Sequence, residues 1–184
     1  MPVATQEPQL PVREARAGDS QAWEAILVRY RLPLYAYLFE LVRHEQTSLE
    51  IVQETFIAAA RHIGRLRQDE KFGSWLFSIA HQKCAQHWRK GRRDEISIDS
   101  QDEELPDFDP APDELLIRKE HEESLMRLLE QLAAPHRSVL LLHFMEDFSL
   151  EEIAQITETQ IGTVKSRLHY ARKALRKLLE EDET

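Results

Sequence analysis

Ile161, Val164, Leu168, Ala171, Leu175 and Leu178 follow one another at intervals of three and four. That spacing puts all six on one face of an α-helix but scatters them over both faces of a strand. Most of the chain outside residues 94–112 repeats the pattern. With only 5 Gly in 184 residues and few β-branched runs, little competes with helix, and the expected fold is all-α.

Towards the N-terminus, Asp19 or Ser20 is suited to cap a first helix with Trp23, Ile26, Leu27 and Tyr30 on one face. Pro33 would break a continuous helix, so a second is expected to begin there and to carry Leu34, Leu38, Leu41 and Val42. Thr47 and Glu50 stand at capping-box spacing ahead of Val52, Phe56, Ala59 and Ile63. Gly64 to Gly73 reads as a charged loop. Phe72, Trp75, Leu76, Ile79 and Ala80 then share a stripe that runs into Trp88-Arg89-Lys90-Gly91-Arg92-Arg93. Further on, Leu125, Leu128, Leu129 and Leu132 mark a helix, and Pro135 starts another with Val139, Leu142 and Phe144. Ser149 and Glu152 form a second capping box before Ile153 and Ala154, and Thr157 to Gln160 separates this short helix from the long C-terminal stripe.

Charge divides the chain in two. The net charge is −9, yet residues 94–123 alone hold thirteen acids against two bases, and the remainder is +2. Residues 61–93 carry nine Lys/Arg against Asp69 and Glu70. From Asp94 to Pro112 periodicity lapses, and Pro106, Pro110 and Pro112 punctuate an acidic run, the composition of a linker. The expected organisation is therefore an N-terminal tail (1–18), a helical domain (19–93), a flexible acidic linker (94–112), a second helical domain (113–180) and a short acidic tail (181–184). No apolar stretch approaches the ~18 residues of a membrane span, and no signal peptide opens the chain. The single cysteine, Cys84, suits a reducing compartment, so a cytoplasmic protein without membrane insertion is expected.

A short capped helix, a turn and a longer basic helix form the layout of a helix-turn-helix. Between Gly162 and Leu179 lie six Lys/Arg and no acid. Thr163, Lys165, Ser166, Arg167, His169, Tyr170, Arg172, Lys173 and Arg176 fall off the apolar stripe. Early cations on such a helix can donate to guanine in a major groove, and later ones can lie along phosphate. A solvated cationic face on an ordinary helix has the same composition.

No nucleophile stands with a base at suggestive spacing, and no Gly-rich phosphate loop is present, so no enzyme and no cofactor are expected. His81, Cys84 and His87 have the residue types of a metal set. On a helix His81 and His87 point about 120° apart, so no metal site is expected.

Two sets of motifs carry a family resemblance. Ser149-Leu-Glu-Glu-Ile-Ala154, Gly162-Thr-Val-Lys-Ser-Arg-Leu168 and Ala171-Arg172, with the lead-in Leu132-Ala-Ala-Pro-His-Arg-Ser-Val139, resemble region 4 of the extracytoplasmic-function (ECF) sigma factors of the sigma-70 family. Val52-Gln-Glu-Thr-Phe56 and Phe72-Gly-Ser-Trp-Leu-Phe-Ser-Ile-Ala80 resemble region 2 of the same group. Together they span about four-fifths of the chain in the family's order.

The resemblance implies a dissociable subunit of RNA polymerase that directs it to promoters and initiates transcription. Region 4 would read the −35 element with Thr163, Lys165, Ser166, Arg167, His169, Tyr170, Arg172 and Arg176. Region 2 would open the −10 element and capture a flipped base near Leu66 to Phe72. There Arg67 and Lys71 supply charge and Phe72 an aromatic surface, although Phe72 and Trp75 also suit a core. Gln82 and Gln86 would face bases, while Arg89, Lys90, Arg92 and Arg93 would hold phosphates, or simply be a solvated helix end. Glu50, Gln53 and Glu54 would bind core polymerase, whose clamp and flap are the expected partners beside promoter DNA. The acidic linker would thread the RNA-exit path. An anti-sigma factor or a Ser/Thr kinase is a further candidate partner.

The chain departs from the pattern at three places. Thr157-Glu158 stands where Leu-Gly is common, Gln82 and Gln86 where Asn and Asp are usual, and Thr47-Ser-Leu-Glu50 where Asp-Ala-Glu-Asp often leads into the polymerase-binding helix. The lost acids make Thr47 and Ser48 candidate phosphorylation sites, set against plain capping by Thr47 and Glu50. A helix-turn-helix regulator that binds duplex DNA without polymerase, or a protein-binding adaptor, remains open at this level.

Overall fold

A computed structural model of the chain describes residues 10–95, 129 and 131–182, with side chains described up to 89 in the first stretch and up to 177 in the last. Within these residues there are seven α-helices and no strand: α1 Val12–Arg16, α2 Ser20–Val42, α3 Glu45–His62, α4 Phe72–Glu95, α5 Ala134–Phe144, α6 Leu150–Ile156 and α7 Ile161–Asp182. The helix expected around Leu125 and Leu128, and the linker from 96 to 112, lie outside the described residues.

Residues 12–16, expected to be tail, form a helix because Val12 and Ala15 are buried against the start of α2. Trp23 Nε1 donates to the Ala15 carbonyl at 3.0 Å and ties the two together. Gly18, at φ +92°, makes the turn between them. Asp19 is the cap of α2, its carboxylate accepting from the backbone N–H groups of Gln21 and Ala22 at 2.8 and 3.1 Å.

The break expected at Pro33 does not occur: α2 runs through it. Ala22, Ile26, Leu34, Tyr37, Leu38 and Leu41 form one buried stripe on both sides of the proline, and continuous burial outweighs its cost of ~3 kcal/mol. The start of α3 also differs. His44, not Thr47, is the cap; its Nδ1 accepts from the Thr47 backbone N–H, and Glu50 instead accepts from Gln46 Nε2 at 3.0 Å. The buried face of α3 is Ser48, Ile51, Thr55 and Ala59. Ser48 and Thr55 satisfy their hydroxyls on the carbonyls of His44 and Ile51, so they serve as small core residues.

Between α3 and α4 the expected loop contains two 3₁₀ turns, Ile63–Arg65 and Asp69–Lys71. Arg16 reaches across from α1 to donate to the Leu66 carbonyl and to Asp69, which pins it. Gly73 opens α4 where a Cβ would meet the Tyr30 hydroxyl at 2.9 Å. Phe72, Leu76, Phe77, Ala80 and Cys84 are buried along α4. Helices α1 to α4 form one half of the molecule and α5 to α7 the other.

The halves are packed together. Helix α5 buries Arg137, Ser138, Val139, Leu140, Leu141 and Leu142 consecutively. A helix buried on nearly every side needs neighbours all round, and α5 has α6 and α7 from its own half and α2 from the other. Helix α4 likewise lies against α6, with Phe77 edge-on to Phe148 at 5.2 Å between ring centroids.

Candidate nucleic-acid interface

The helix-turn-helix is built as its residues dictate. Ser149 Oγ accepts from the Glu152 backbone N–H at 3.2 Å and Glu152 Oε2 accepts from the Ser149 backbone N–H at 3.0 Å, the reciprocal box that starts α6. At its end Thr157 Oγ1 donates to the Ile153 carbonyl at 2.7 Å, and Glu158 takes up φ 52°, left-handed backbone that costs a non-Gly residue ~1 kcal/mol. The chain can then turn into α7.

On α7, Val164, Leu168 and Ala171 are buried and Leu175 half-buried, while Ile161 is exposed. That fixes the outward face. Lys165, Ser166, His169, Tyr170, Arg172, Lys173 and Arg176 are exposed, and Thr163 and Arg167 are half-buried. Ser166 spends its hydroxyl on the Thr163 carbonyl at 3.0 Å. Arg172 lies over the Phe144 ring at 4.9 Å, which holds its guanidinium at the helix surface.

In the N-terminal half, Arg67 and Lys71 are exposed at the end of the α3–α4 connection, and Gln82, Gln86 and Arg89 are exposed along α4. Lys90, Arg92 and Arg93 continue α4, with side chains outside those described. Phe72 corrects the expectation that it offers a stacking surface. It is fully buried, packed on Tyr30 and Trp75 at centroid distances of 5.7 and 5.8 Å, because its place on the α4 stripe turns it into the core. On α3, Glu50, Gln53 and Glu54 are exposed, and Glu54 pairs with Lys83 at 2.9 Å. Thr47 is half-buried, with its hydroxyl 3.0 Å from His44 Nδ1. Ser48 is fully buried, out of a modifying enzyme's reach in this fold.

Sequence reasoning missed the seam residues. Lys71 Nζ meets Glu152 Oε1 at 2.9 Å, and Gln82 Nε2 donates to Glu158 Oε1 at 2.6 Å. Beneath them the buried Tyr37 hydroxyl is 2.8 Å from both Ser138 Oγ and His81 Nδ1. Burial raises the Tyr37 pKa, although the Ser138 hydrogen bond opposes the shift. Burial lowers the His81 pKa; Glu158 opposes this and Arg167 adds to it. Burial works against the Glu152 anion, but hydrogen bonds from Lys71 and Ser149 prevail and hold its carboxyl below the usual range. Burial pushes the Cys84 thiol up to about 12, so it is inert. His81, Cys84 and His87 face Tyr37, the core and solvent respectively.

Comparison with known proteins matches the same two halves. The model described as Sigma-70 region 2 covers residues 26–94, and that described as Sigma-70, region 4 covers residues 122–175. The RNA polymerase sigma-H factor of Pseudomonas aeruginosa is 31% identical over 183 residues, 95% of this chain and 94% of that one. The ECF RNA polymerase sigma-E factor of Escherichia coli K12 is 29% identical over 175 residues, 91% of each chain. Among solved structures, the sigma factor RpoE of Bartonella quintana, in complex with the anti-sigma factor NepR, superposes with a TM-score of 0.71 at 26% identity. It covers 87% of this chain and 98% of its own.

Proposed function

This chain belongs to the sigma-70 family as an ECF sigma factor, a non-enzymatic subunit that directs RNA polymerase to promoters for initiation, and from that premise we propose how its residues divide the work. The α5–α7 half reads the −35 element, and the α1–α4 half reads and opens the −10 element. The observation that carries this division is that α7 and α4 each bury one stripe, which turns a basic face of α7 and a polar face of α4 outward.

Lys165 and Arg167, with Thr163 and Ser166, lie in the first turns of α7 and contact base edges. His169, Tyr170, Arg172 and Arg176 follow the backbone. Arg67 and Lys71 draw the −10 strand in, Gln82 and Gln86 meet its bases, and Arg89, Lys90, Arg92 and Arg93 hold its phosphates. Glu50, Gln53 and Glu54 face the polymerase clamp from α3, and the α5–α7 half meets the flap. The acidic linker occupies the RNA-exit path. Thr47 is the proposed phosphorylation switch, Ser48 being enclosed. A neighbouring structure is of a sigma factor bound to an anti-sigma factor, and such a protein is the proposed inhibitor here. The site of action is the cytoplasm.

The test is transcription from the promoter upstream of the chain's own gene, with purified core polymerase and the full chain. Specific initiation that disappears when Lys165 and Arg167 are both replaced by Ala supports the assignment of α7; unchanged initiation removes it.

A further inference from the structure

Arg16, the last residue of α1, is joined twice to the connection between α3 and α4. Its terminal nitrogen Nη2 donates to the Leu66 carbonyl at 3.2 Å and to the Asp69 carboxylate, and these two acceptors flank Arg67 and Gln68. Between the two 3₁₀ turns the backbone is extended, with φ and ψ of −70° and 121° at Leu66 and −126° and 115° at Gln68. Extended backbone without a neighbouring strand among the described residues has no regular partner for its carbonyls, and that of Leu66 takes its hydrogen from Arg16. Within 64–71 only Leu66 and Asp69 are half-buried, and the other six residues are exposed. Buried contacts therefore do little to offset the entropy lost when this loop is ordered, and two hydrogen bonds weigh more here than on a helix surface. The anchor itself is firm. Val12 and Ala15 are buried, and Trp23 Nε1 holds the Ala15 carbonyl next to Arg16. With side chains 32% and 30% exposed, Arg16 and Asp69 are partly shielded from water.

We propose that Arg16 is a positioning residue for promoter opening: from α1 it holds Leu66 and Asp69, and so presents Arg67 to the −10 strand in a fixed place. The proposal rests on reading Arg67 and Lys71 as −10 contacts. Leu66, Arg67, Lys71 and Trp75 line one cavity of about 350 Å³. Arg16 does not line it and acts on it through the loop backbone and Asp69. Lys71 has ties of its own at the far end of the loop, to Glu152 through its ammonium and to Ser74 Oγ through its carbonyl. The stretch around Arg67 depends on Arg16 instead. A loop ordered before DNA arrives loses less entropy on binding, so the strand is captured more tightly.

The test uses the full chain, bound to core polymerase for DNA binding and free for hydrogen exchange. The main probe is a fork from the chain's own promoter, paired through the −35 element and carrying an unpaired non-template −10 strand. Arg16→Ala should weaken binding to the fork roughly threefold to tenfold and leave binding to a fully paired −35 duplex unchanged. In the free chain the same variant should speed amide exchange across 66–71 and leave the amides of α2 and α4 as they were. The salt slope of fork binding should not change, because Arg16 acts on the loop and not on phosphate. A slope lower by about one unit would mark a direct phosphate contact and overturn the positioning role. Equal losses on fork and −35 duplex would make Arg16 a general structural residue, and unchanged fork affinity or unchanged loop exchange would leave it without the role. Failure of the −10 reading itself would look different. Arg67→Ala and Lys71→Ala would then leave fork binding intact, while Arg16→Ala still sped exchange in the loop.

Discussion

Lys165 and Arg176 share the basic face of α7 but are separated by about three turns, so in the proposed −35 reading they would meet different parts of a duplex. Replacing Lys165 or Arg167 with Ala should cost roughly 1–3 kcal/mol on the preferred −35 sequence and relax discrimination, measured as holoenzyme binding to matched and mismatched promoters. Arg176→Ala should weaken binding about equally on every sequence and lower the salt slope by about one unit. Loss of specificity from all three would move the reading face. At Thr47, Thr47→Glu should bind core polymerase more tightly than the wild type, because negative charge at a helix N-terminus is favourable and the family usually has acids there. Equal affinity would end the switch idea. The α7 residues were legible because the apolar stripe fixes the phase of the helix and with it the outward face. Phase says nothing about partners, however. The pairing of Gln82 with Glu158, and the enclosure of Phe72 by Tyr30, depend on how helices distant in sequence pack.

Among the helices, local signals succeeded where a side chain bonds its own backbone neighbours and failed where packing decides. Ser149 and Glu152 stand three residues apart and make the expected capping box. Ser149→Ala should lower stability by about 1 kcal/mol in denaturant unfolding and weaken −35 binding, since α6 sets the entry to α7. An unchanged midpoint would show that packing alone holds α6. Pro33, by contrast, has the local signature of a helix start, yet the stripe from Ala22 to Leu41 carries α2 across it. The buried face of α3 was hidden because Ser48 and Thr55 are polar by type and apolar by function once their hydroxyls bond the preceding turn. Glu146, just beyond α5, is pushed up to about 7 by burial, partly offset by Arg29 and reinforced by Asp147. The folded chain thus retains a proton that the unfolded chain releases near 4.5, and stability falls as pH rises from there to about 7. Glu146→Gln should raise the unfolding temperature at pH 8 and change it little at pH 4.5; equal effects at both would remove burial as the cause.

At the scale of the whole molecule, closure of the seam is expected to depend on pH through His81. Its Nδ1 lies 2.8 Å from the Tyr37 hydroxyl of α2, which also meets Ser138 of α5, and Glu158 of the turn and Arg167 of α7 act on it electrostatically. Burial lowers its pKa, so the closed form excludes a proton that the unfolded chain accepts near the ordinary value of about 6.5. An open form, rid of the α5–α7 half but still packed on Tyr37, takes it up between the lowered and the ordinary value. Above that value both forms are neutral and closure is indifferent to pH. As pH falls below it, only the open form gains a proton, and closure weakens progressively towards the lowered pKa. Glu146 works in the opposite sense over part of this range, so the measurement belongs in the Glu146→Gln background. Glu152, held below the usual carboxylate range, responds at lower pH and stays charged throughout the window. Between pH 6.5 and 5.5 the Glu146→Gln chain should expand in scattering and unfold at lower temperature. Adding His81→Gln, which can still bond Tyr37 but cannot take up the proton, should flatten both profiles. A response that survives the histidine's removal would place the sensing group elsewhere in the seam.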